Sequence, residues 1–308
     1  MKLIRNTVSQ NKNPQGCVAT IGNFDGLHLG HQKIISHLKE KSKELNLPLT
    51  VISFEPLPAE YFMPEPPTRI YPLRDKLKLL AELGVDNCLC LRFNANLANM
   101  PPQSFIDSVL LKHLNVKYLA VGDDFRFGHQ REGDFALLKS VGENAGIQVI
   151  DTATVKTSGE RVSSTRIRNN LEKGDLITSN KLLGHQYQLS GIIRHGDKRG
   201  RTIGFPTLNM KLPENIALTR GVYAVKVHGL SDIALNGVAN LGSRPTVNGD
   251  ENRLETHLFD FNKEVYGSHV CVELLEFIRA EKRFDSFELL KHQIEKDSNK
   301  AKSICSSR

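Results

Sequence analysis

Short apolar runs and helix-period segments alternate through the first half of the chain. Cys17–Ile21 is a mostly apolar run that stops at Gly22, and His28–Leu47 then spaces its apolar residues at a helical period. Leu49–Phe54 is rich in β-branched and aromatic residues, Leu73–Leu83 has a helical pattern, and Cys88–Phe93 alternates like a strand. Pro101–Leu114 predicts a helix opened by proline, Lys117–Val121 a strand, Phe135–Asn144 a helix and Ile147–Ile150 another strand. Strands alternating with helices predict a parallel sheet covered on both faces. Ser163–Leu171 and Asp175–Leu183 then read as two closing helices.

The pattern changes past Gly184–Gln188. Glycines punctuate short alternating runs at Gln188–Arg194, Gly221–His228, Leu235–Leu241, Leu254–Phe261 and His269–Phe277, and Ser286–Ile294 is an amphipathic helix. Such spacing predicts an antiparallel barrel or sandwich. The reading taken forward is α/β plus all-β: a Rossmann-like domain over residues 1–184, then an antiparallel β-barrel with a terminal helix over 185–308. A chain of 308 residues favours two cores over one.

Charge narrows the ligand class. The chain carries +7 at neutral pH, and the excess is spread over both halves without a basic tail. That favours small polyphosphate ligands over a long nucleic-acid track. The five cysteines include no C-x-x-C pair and offer no disulfide framework, which points to a reducing compartment. With neither an apolar leader nor a long apolar run, the expected location is cytoplasmic, without membrane contact.

The strongest local signal is Gly22-Asn23-Phe24-Asp25-Gly26-Leu27-His28-Leu29-Gly30-His31, directly after the first strand and opening the first helix. Ligands of open parallel sheets bind at the carboxyl ends of strands, and a helix N-terminus there offers free N–H groups to phosphate. His28 and His31 lie on one helical face, while Gly26 and Gly30 let a nucleotide approach the backbone. Two imidazoles and a helix dipole aimed at one anion suit a phosphoryl-type transition state. Ser163-Ser164-Thr165-Arg166 predicts a second helix start whose hydroxyls cap the helix or bind phosphate, with Arg166 adding charge.

The second half carries Gly196, Lys198, Gly200, Arg201 and Gly204 in one loop, followed by Pro206-Thr207-Leu208-Asn209. Glycines interleaved with cations suit a loop wrapped around phosphate, although the P-loop spacing is absent.

These motifs together resemble the bacterial bifunctional riboflavin kinase/FAD synthetase family. Gly22–His31 is similar to its adenylyltransferase module, as are Ser53-Phe54-Glu55-Pro56 and Val121–Gly128, and the segment from Gly191 to Phe284 is similar to its kinase domain. The resemblance implies that ATP is bound by Gly22, Phe24, Asp25, Gly26, Gly30, Ser163, Ser164, Thr165 and Arg166, and flavin by Asp124, Phe125, Arg126 and Phe127. It implies a kinase ATP site at Gly196, Lys198, Gly200, Arg201, Gly204 and Pro206, with Thr207 and Asn209 on Mg²⁺. His28, His31 and Glu255 would be catalytic. A primary hydroxyl attacking a γ-phosphate must lose its proton, and a nearby carboxylate can take it. Spacing alone does not separate Glu255 from Glu251 or Glu264; the resemblance selects Glu255. Leu57 and Leu208 replace a His and an Ala of the family pattern.

The expected reactions are riboflavin to FMN, then FMN to FAD with release of pyrophosphate, each using ATP. The expected partners are ATP and flavins, with flavoproteins downstream and no nucleic acid. The alternatives are an adenylyltransferase for another phosphorylated acceptor and a nucleic-acid-binding module; the latter lacks an interleaved aromatic and basic stripe.

Overall fold

A computed structural model describes residues 1–5, 14–122, 124–152, 155–157, 159–195, 205–246 and 249–307. The chain forms two compact units, Met1–Pro67 with Lys76–Ser163, and Thr68–Asp75 with Ser164–Arg308.

The first unit is built on a six-stranded parallel sheet. Its strands are β1 (Lys2–Ile4), β2 (Cys17–Ile21), β3 (Leu49–Glu55), β4 (Asn87–Arg92), β5 (Val116–Gly122) and β6 (Gln148–Thr152), in the order β1-β4-β3-β2-β5-β6. All five residues of β2 are buried, as are the first five of β3, because helices cover both faces of a parallel sheet. The helix α1 (Leu29–Leu45) follows β2 and ends on Asn46 in the left-handed conformation. Further helices are α2 (Pro58–Phe62), α3 (Leu73–Glu82, in this unit from Lys76 onward), α4 (Ala95–Ala98), α5 (Pro102–Phe105) and α6 (Phe135–Asn144). Ile21, Leu89, Phe105, Leu110, Leu119 and Phe127 share one core.

Two features depart from the sequence reading. The segment expected as one α-helix over Pro101–Leu114 begins as α5 and widens into a π-helix over Ile106–His113. The Leu114 N–H donates to Val109 O five residues back, and the wider turn sends Ile106, Val109, Leu110 and His113 all inward. The edge strand β1 was not expected. Its three residues are too few to show a period, and pairing with β4 in the register Lys2↔Asn87 defines it.

The second unit is a closed barrel of β9 (Gln188–Arg194), β10 (Leu208–Leu212), β11 (Gly221–His228), β12 (Leu235–Thr246), β13 (Gly249–Leu258) and β14 (His269–Ala280), in the order β10-β13-β12-β11-β14-β9. Residues 68–75 belong to it: Ile70 O accepts from the Tyr187 hydroxyl at 2.8 Å, and Asp75 Oδ1 accepts from both the N–H and the hydroxyl of Ser190. Helices α7 (Ser164–Glu172) and α8 (Leu176–Leu183) also lie in this unit. A two-stranded pair, β7 (Lys156–Thr157) with β8 (Glu160–Arg161), lies in the first unit.

The glycine-punctuated runs name five strands, and β10 is the sixth; it is short and follows a polar loop. The hairpin β12–β13 is longer than its apolar alternation, because backbone pairing continues from Gly242↔Arg253 to Thr246↔Gly249 through polar residues. The last helix, α9 (Phe287–Ser306), is twice as long as its apolar pattern. Its second half buries Asp297, Ser298, Ala301 and Cys305, which form no apolar stripe. Ala301 and Cys305 pack against Val222, Ala224 and Val238 on the barrel wall.

Candidate active sites

In the first unit the Gly22 N–H donates to Ile52 O at 3.0 Å, which holds the chain to the sheet for one residue beyond β2. The chain then turns through Phe24 (φ 49°), Gly26 (φ 90°) and Leu27 (φ 44°), all left-handed. Two non-glycine residues in that region are costly, about 1 kcal/mol or more each, and the fully buried Phe24 and Leu27 side chains offset it.

His28 caps α1, and its Nδ1 accepts the His31 N–H at 3.4 Å. A neutral His28 therefore carries its proton on Nε2. The two rings stack, with centroids 3.7 Å apart and planes at 17°. Gly30 permits this, since a Cβ there would stand 3.0 Å from the His28 ring. Burial, with the His28 and Lys76 charges, pulls the His31 imidazole well below its usual range. Its Nδ1 is buried and has no hydrogen-bond partner among the described residues. Asp25 is buried beside the same turn. The carbonyl of Val162 comes within 4.0 Å of the position a Gly30 Cβ would take, so the approach to Ser163 passes the start of α1.

The residues expected at the flavin divide between core and surface. Phe127 is buried in the core, stacks on Phe125 with centroids 5.6 Å apart, and leaves no room for a side chain at Gly133. Asp124 and Arg126 are exposed; Asp124 pairs with Arg161 at 2.8 Å, and Arg126 donates to Phe125 O. Ser164, Thr165 and Arg166 open α7 in the second unit, with Thr165 exposed.

In the second unit Gly196, Lys198, Gly200, Arg201 and Gly204 lie outside the described residues. Pro206 is exposed, and its carbonyl oxygen lies 2.9 Å from His257 Nδ1. The barrel register lines up one row of residues across five strands. Asn209 on β10 pairs with Glu255 on β13, Glu255 with Asn240 on β12, Asn240 with Val222 on β11, and Val222 with Arg279 on β14. Directly paired residues share a sheet face, so Glu255 stands between two asparagine amides.

A cavity of about 450 Å³ opens on this row, lined by Thr207, Asn240, Glu255, Arg279, Phe284 and Phe287 among others. A mostly apolar wall with a few converging polar groups suits a flat aromatic ligand carrying a polar tail. Arg279 closes one side with a bidentate pair to Asp297 of α9, Nη2 donating to Oδ2 at 2.7 Å and Nε to Oδ1 at 3.1 Å. Glu251, the sequence alternative to Glu255, is occupied by Lys211 at 2.7 Å and Arg253 at 2.8 Å, which hold its carboxyl below the usual range. A second cavity of about 300 Å³ borders Pro206, Thr207 and Leu208 on one side and 261–266 on the other, with Glu264 in its wall.

Asn209 Oδ1 is a buried acceptor with no partner among the described residues, and Thr207 lies beside it, with its carbonyl 3.4 Å from Asn209 Nδ2. Among the described residues no group of three His, Cys, Asp or Glu is placed to hold a metal. Neutral oxygens of this kind fit Mg²⁺, which keeps its waters and takes few protein ligands.

Lys76, Asn240 and Arg279 lie next to these residues and carried no assigned role in the sequence reading. For Lys76 a signal exists: it falls in line with Leu79 and Leu80 on the buried face of α3, where a lysine is out of place.

Two family models match the chain, FAD synthetase over residues 10–166 and riboflavin kinase over 183–305. A protein of Escherichia coli strain K12 named bifunctional riboflavin kinase/FMN adenylyltransferase is 49% identical over 299 residues, covering 96% of each chain. The chain belongs to the bifunctional riboflavin kinase/FMN adenylyltransferase family. The member from Haemophilus influenzae is 46% identical over the whole of both chains. A solved structure described as a macrolide-efflux protein from Streptococcus pneumoniae is 30% identical with a TM-score of 0.82, covering 96% of this chain and 97% of that one. Among the described residues no helix is long and apolar enough to cross a membrane. The family accounts for both halves: a parallel-sheet nucleotidyltransferase unit and a closed-barrel kinase unit.

Proposed function

We propose that this chain phosphorylates riboflavin to FMN on the barrel and then joins FMN to the AMP part of ATP on the parallel-sheet unit. The single observation that carries this is the 49% identity to a bifunctional relative across 96% of both chains, with both family models matched in order. The activities are assigned to residues 1–184 for adenylylation and 185–308 for phosphorylation.

On the barrel, Glu255 is the general base. It takes the proton of the riboflavin primary hydroxyl as that oxygen bonds to the γ-phosphorus of ATP and ADP departs. Asn240, one strand away, orients the carboxylate, and the apolar wall with Phe284 and Phe287 takes the flavin ring. Thr207 and Asn209 would hold Mg²⁺, which when bound neutralises charge on the β- and γ-phosphates. The loop with Gly196, Lys198, Gly200, Arg201 and Gly204, together with Pro206, wraps the ATP phosphates.

On the parallel sheet, a phosphate oxygen of FMN bonds to the α-phosphorus of ATP and pyrophosphate leaves. FMN already carries its nucleophile ionised, so no protein base is needed. His28 and His31 stabilise the extra negative charge at phosphorus, assisted by the N-terminus of α1 and the turn from Gly22 through Phe24, Asp25 and Gly26 to Gly30. Ser163 supports the phosphates, and the Asp124–Phe127 loop faces the flavin. The enzyme works in the cytoplasm, in keeping with five free and buried cysteines, and its FAD passes to flavoproteins.

The test is a time course with riboflavin, ATP and Mg²⁺, resolved by chromatography. FMN should rise first and FAD follow; a protein that produces neither defeats the proposal.

A further inference from the structure

A buried lysine is costly unless something needs its charge, since desolvating an ammonium takes several kcal/mol before any partner repays it. Lys76 is 3% exposed. Its Nζ donates to Asn23 O at 3.3 Å and to Ser53 Oγ at 3.1 Å. Asn23 lies in the turn that presents His28 and His31, and Ser53 is the fully buried third-from-last residue of β3. One ammonium therefore ties the nucleotide turn to the sheet beneath it.

We propose that Lys76 is a positioning residue of the adenylylation site, holding the Asn23 carbonyl so that the turn from Asn23 to His31 keeps its shape. This rests on the assignment of His28 and His31 to adenylylation. The peptide joining Asn23 to Phe24 is planar and trans, so its C=O and N–H point in opposite directions. With the carbonyl drawn toward Lys76, the Phe24 N–H is turned away from it. The same constraint helps hold Phe24 at φ 49°, and the Phe24 ring lies 5.0 Å from the His31 ring. Lys76 thus stands one contact behind the imidazoles.

The charge has a second effect. The groups facing His31 are His28 and Lys76, and both oppose its protonation. The groups around Lys76 are Glu55 of β3, Asp25 of the turn, and Cys88 and Cys90 of β4. Burial pulls the ammonium below its usual range, and the Glu55 charge, followed by Cys90, Asp25 and Cys88, works against that fall. Burial does most to keep His31 unprotonated, and the charge of Lys76 adds to it.

The experiment compares wild type, Lys76→Met and Lys76→Arg in FAD formation from FMN and ATP across pH, with circular dichroism and thermal melts of the same samples as the readout of folding. Lys76→Met should lower kcat by about tenfold or more with little change in KM for FMN. Its acidic limb should move to higher pH, because removing a positive charge makes His31 easier to protonate. Lys76→Arg should restore the rate to within about threefold and return the limb. A Lys76→Met protein with wild-type rate and profile overturns the inference. So does one that loses rate with its profile unmoved and gains nothing from arginine. If Lys76→Met does not fold, Lys76→Arg decides alone: a rate below about a tenth of wild type overturns it. A wild-type protein that forms no FAD defeats the site assignment instead, so the two failures are distinguishable.

Discussion

The His28 and His31 rings stack face to face, with centroids 3.7 Å apart. Two imidazolium charges at that distance would repel strongly, so the pair holds at most one proton with ease. Neutral His28 has its Nδ1 engaged by the His31 N–H and therefore carries its own proton on Nε2. That is the arrangement wanted by a group that greets an anionic phosphorus centre without exchanging protons with it. His28→Ala should lower FAD formation by about 10²-fold or more, the scale of losing one transition-state donor, and leave FMN formation intact. Paired assays on one preparation check both halves of that statement.

Gly30→Ala makes a finer test of the same geometry. The added methyl would sit 3.0 Å from the His28 ring, so the ring must shift. Helix propensity favours alanine, so α1 itself should not weaken. FAD formation should fall by about tenfold while the thermal midpoint holds or rises slightly. A drop in both would place the damage in folding rather than in ring position.

The low His31 pKa also has a stability consequence. Unfolded His31 takes a proton near its ordinary value of 6.5, whereas the folded site resists until well below it. The unfolded chain therefore binds more protons in that window, and stability contributed by neutral His31, full above 6.5, is lost as pH falls through it. Thermal midpoints read between about pH 5 and 8 should decline on the acid side in wild type and decline less in His31→Gln.

On the barrel, Glu255→Gln keeps the shape of the row Asn209–Glu255–Asn240 and removes only the base. Riboflavin phosphorylation should fall by about 10²- to 10⁴-fold, while FMN adenylylation in the same protein is unchanged. Glu251→Gln loses its pairs with Lys211 and Arg253 and should cost stability more than rate. Equal rate losses in the two variants would count against Glu255 as the base.

Asn209→Ala should raise the Mg²⁺ concentration needed for half-maximal phosphorylation by about tenfold, because one oxygen of its amide is buried without a partner among the described residues. A magnesium titration of the FMN-forming reaction reads this directly, and chelation should stop that reaction in wild type.

Asp297→Ala leaves the Arg279 guanidinium without its bidentate partner. Removing one member of a buried pair costs about 3 to 5 kcal/mol, and the lower figure applies here because Arg279 is partly exposed. Calorimetry should register the loss. The KM for riboflavin should rise with it, since Arg279 and α9 both wall the cavity.

The sequence by itself determined the order of elements, the two kinds of domain and the motif at Gly22–His31. These signals are local: an unbroken apolar run such as Cys17–Ile21 is a doubly covered strand, and glycine at 26 and 30 announces a turn into a helix. It also placed Glu255 among the candidates, though only a resemblance chose it from three glutamates. Tertiary structure decided what depends on pairing across the chain. The barrel register sets Glu255 between Asn209 and Asn240, while Glu251 is held by two cations. Lys76 lines up with Leu79 and Leu80 along its helix, but only the fold shows that its ammonium reaches Asn23 O. The π-helix at Ile106–His113 and the buried polar half of α9 were likewise invisible, since a hydrophobic period records which residues avoid water and not which polar groups find partners away from it.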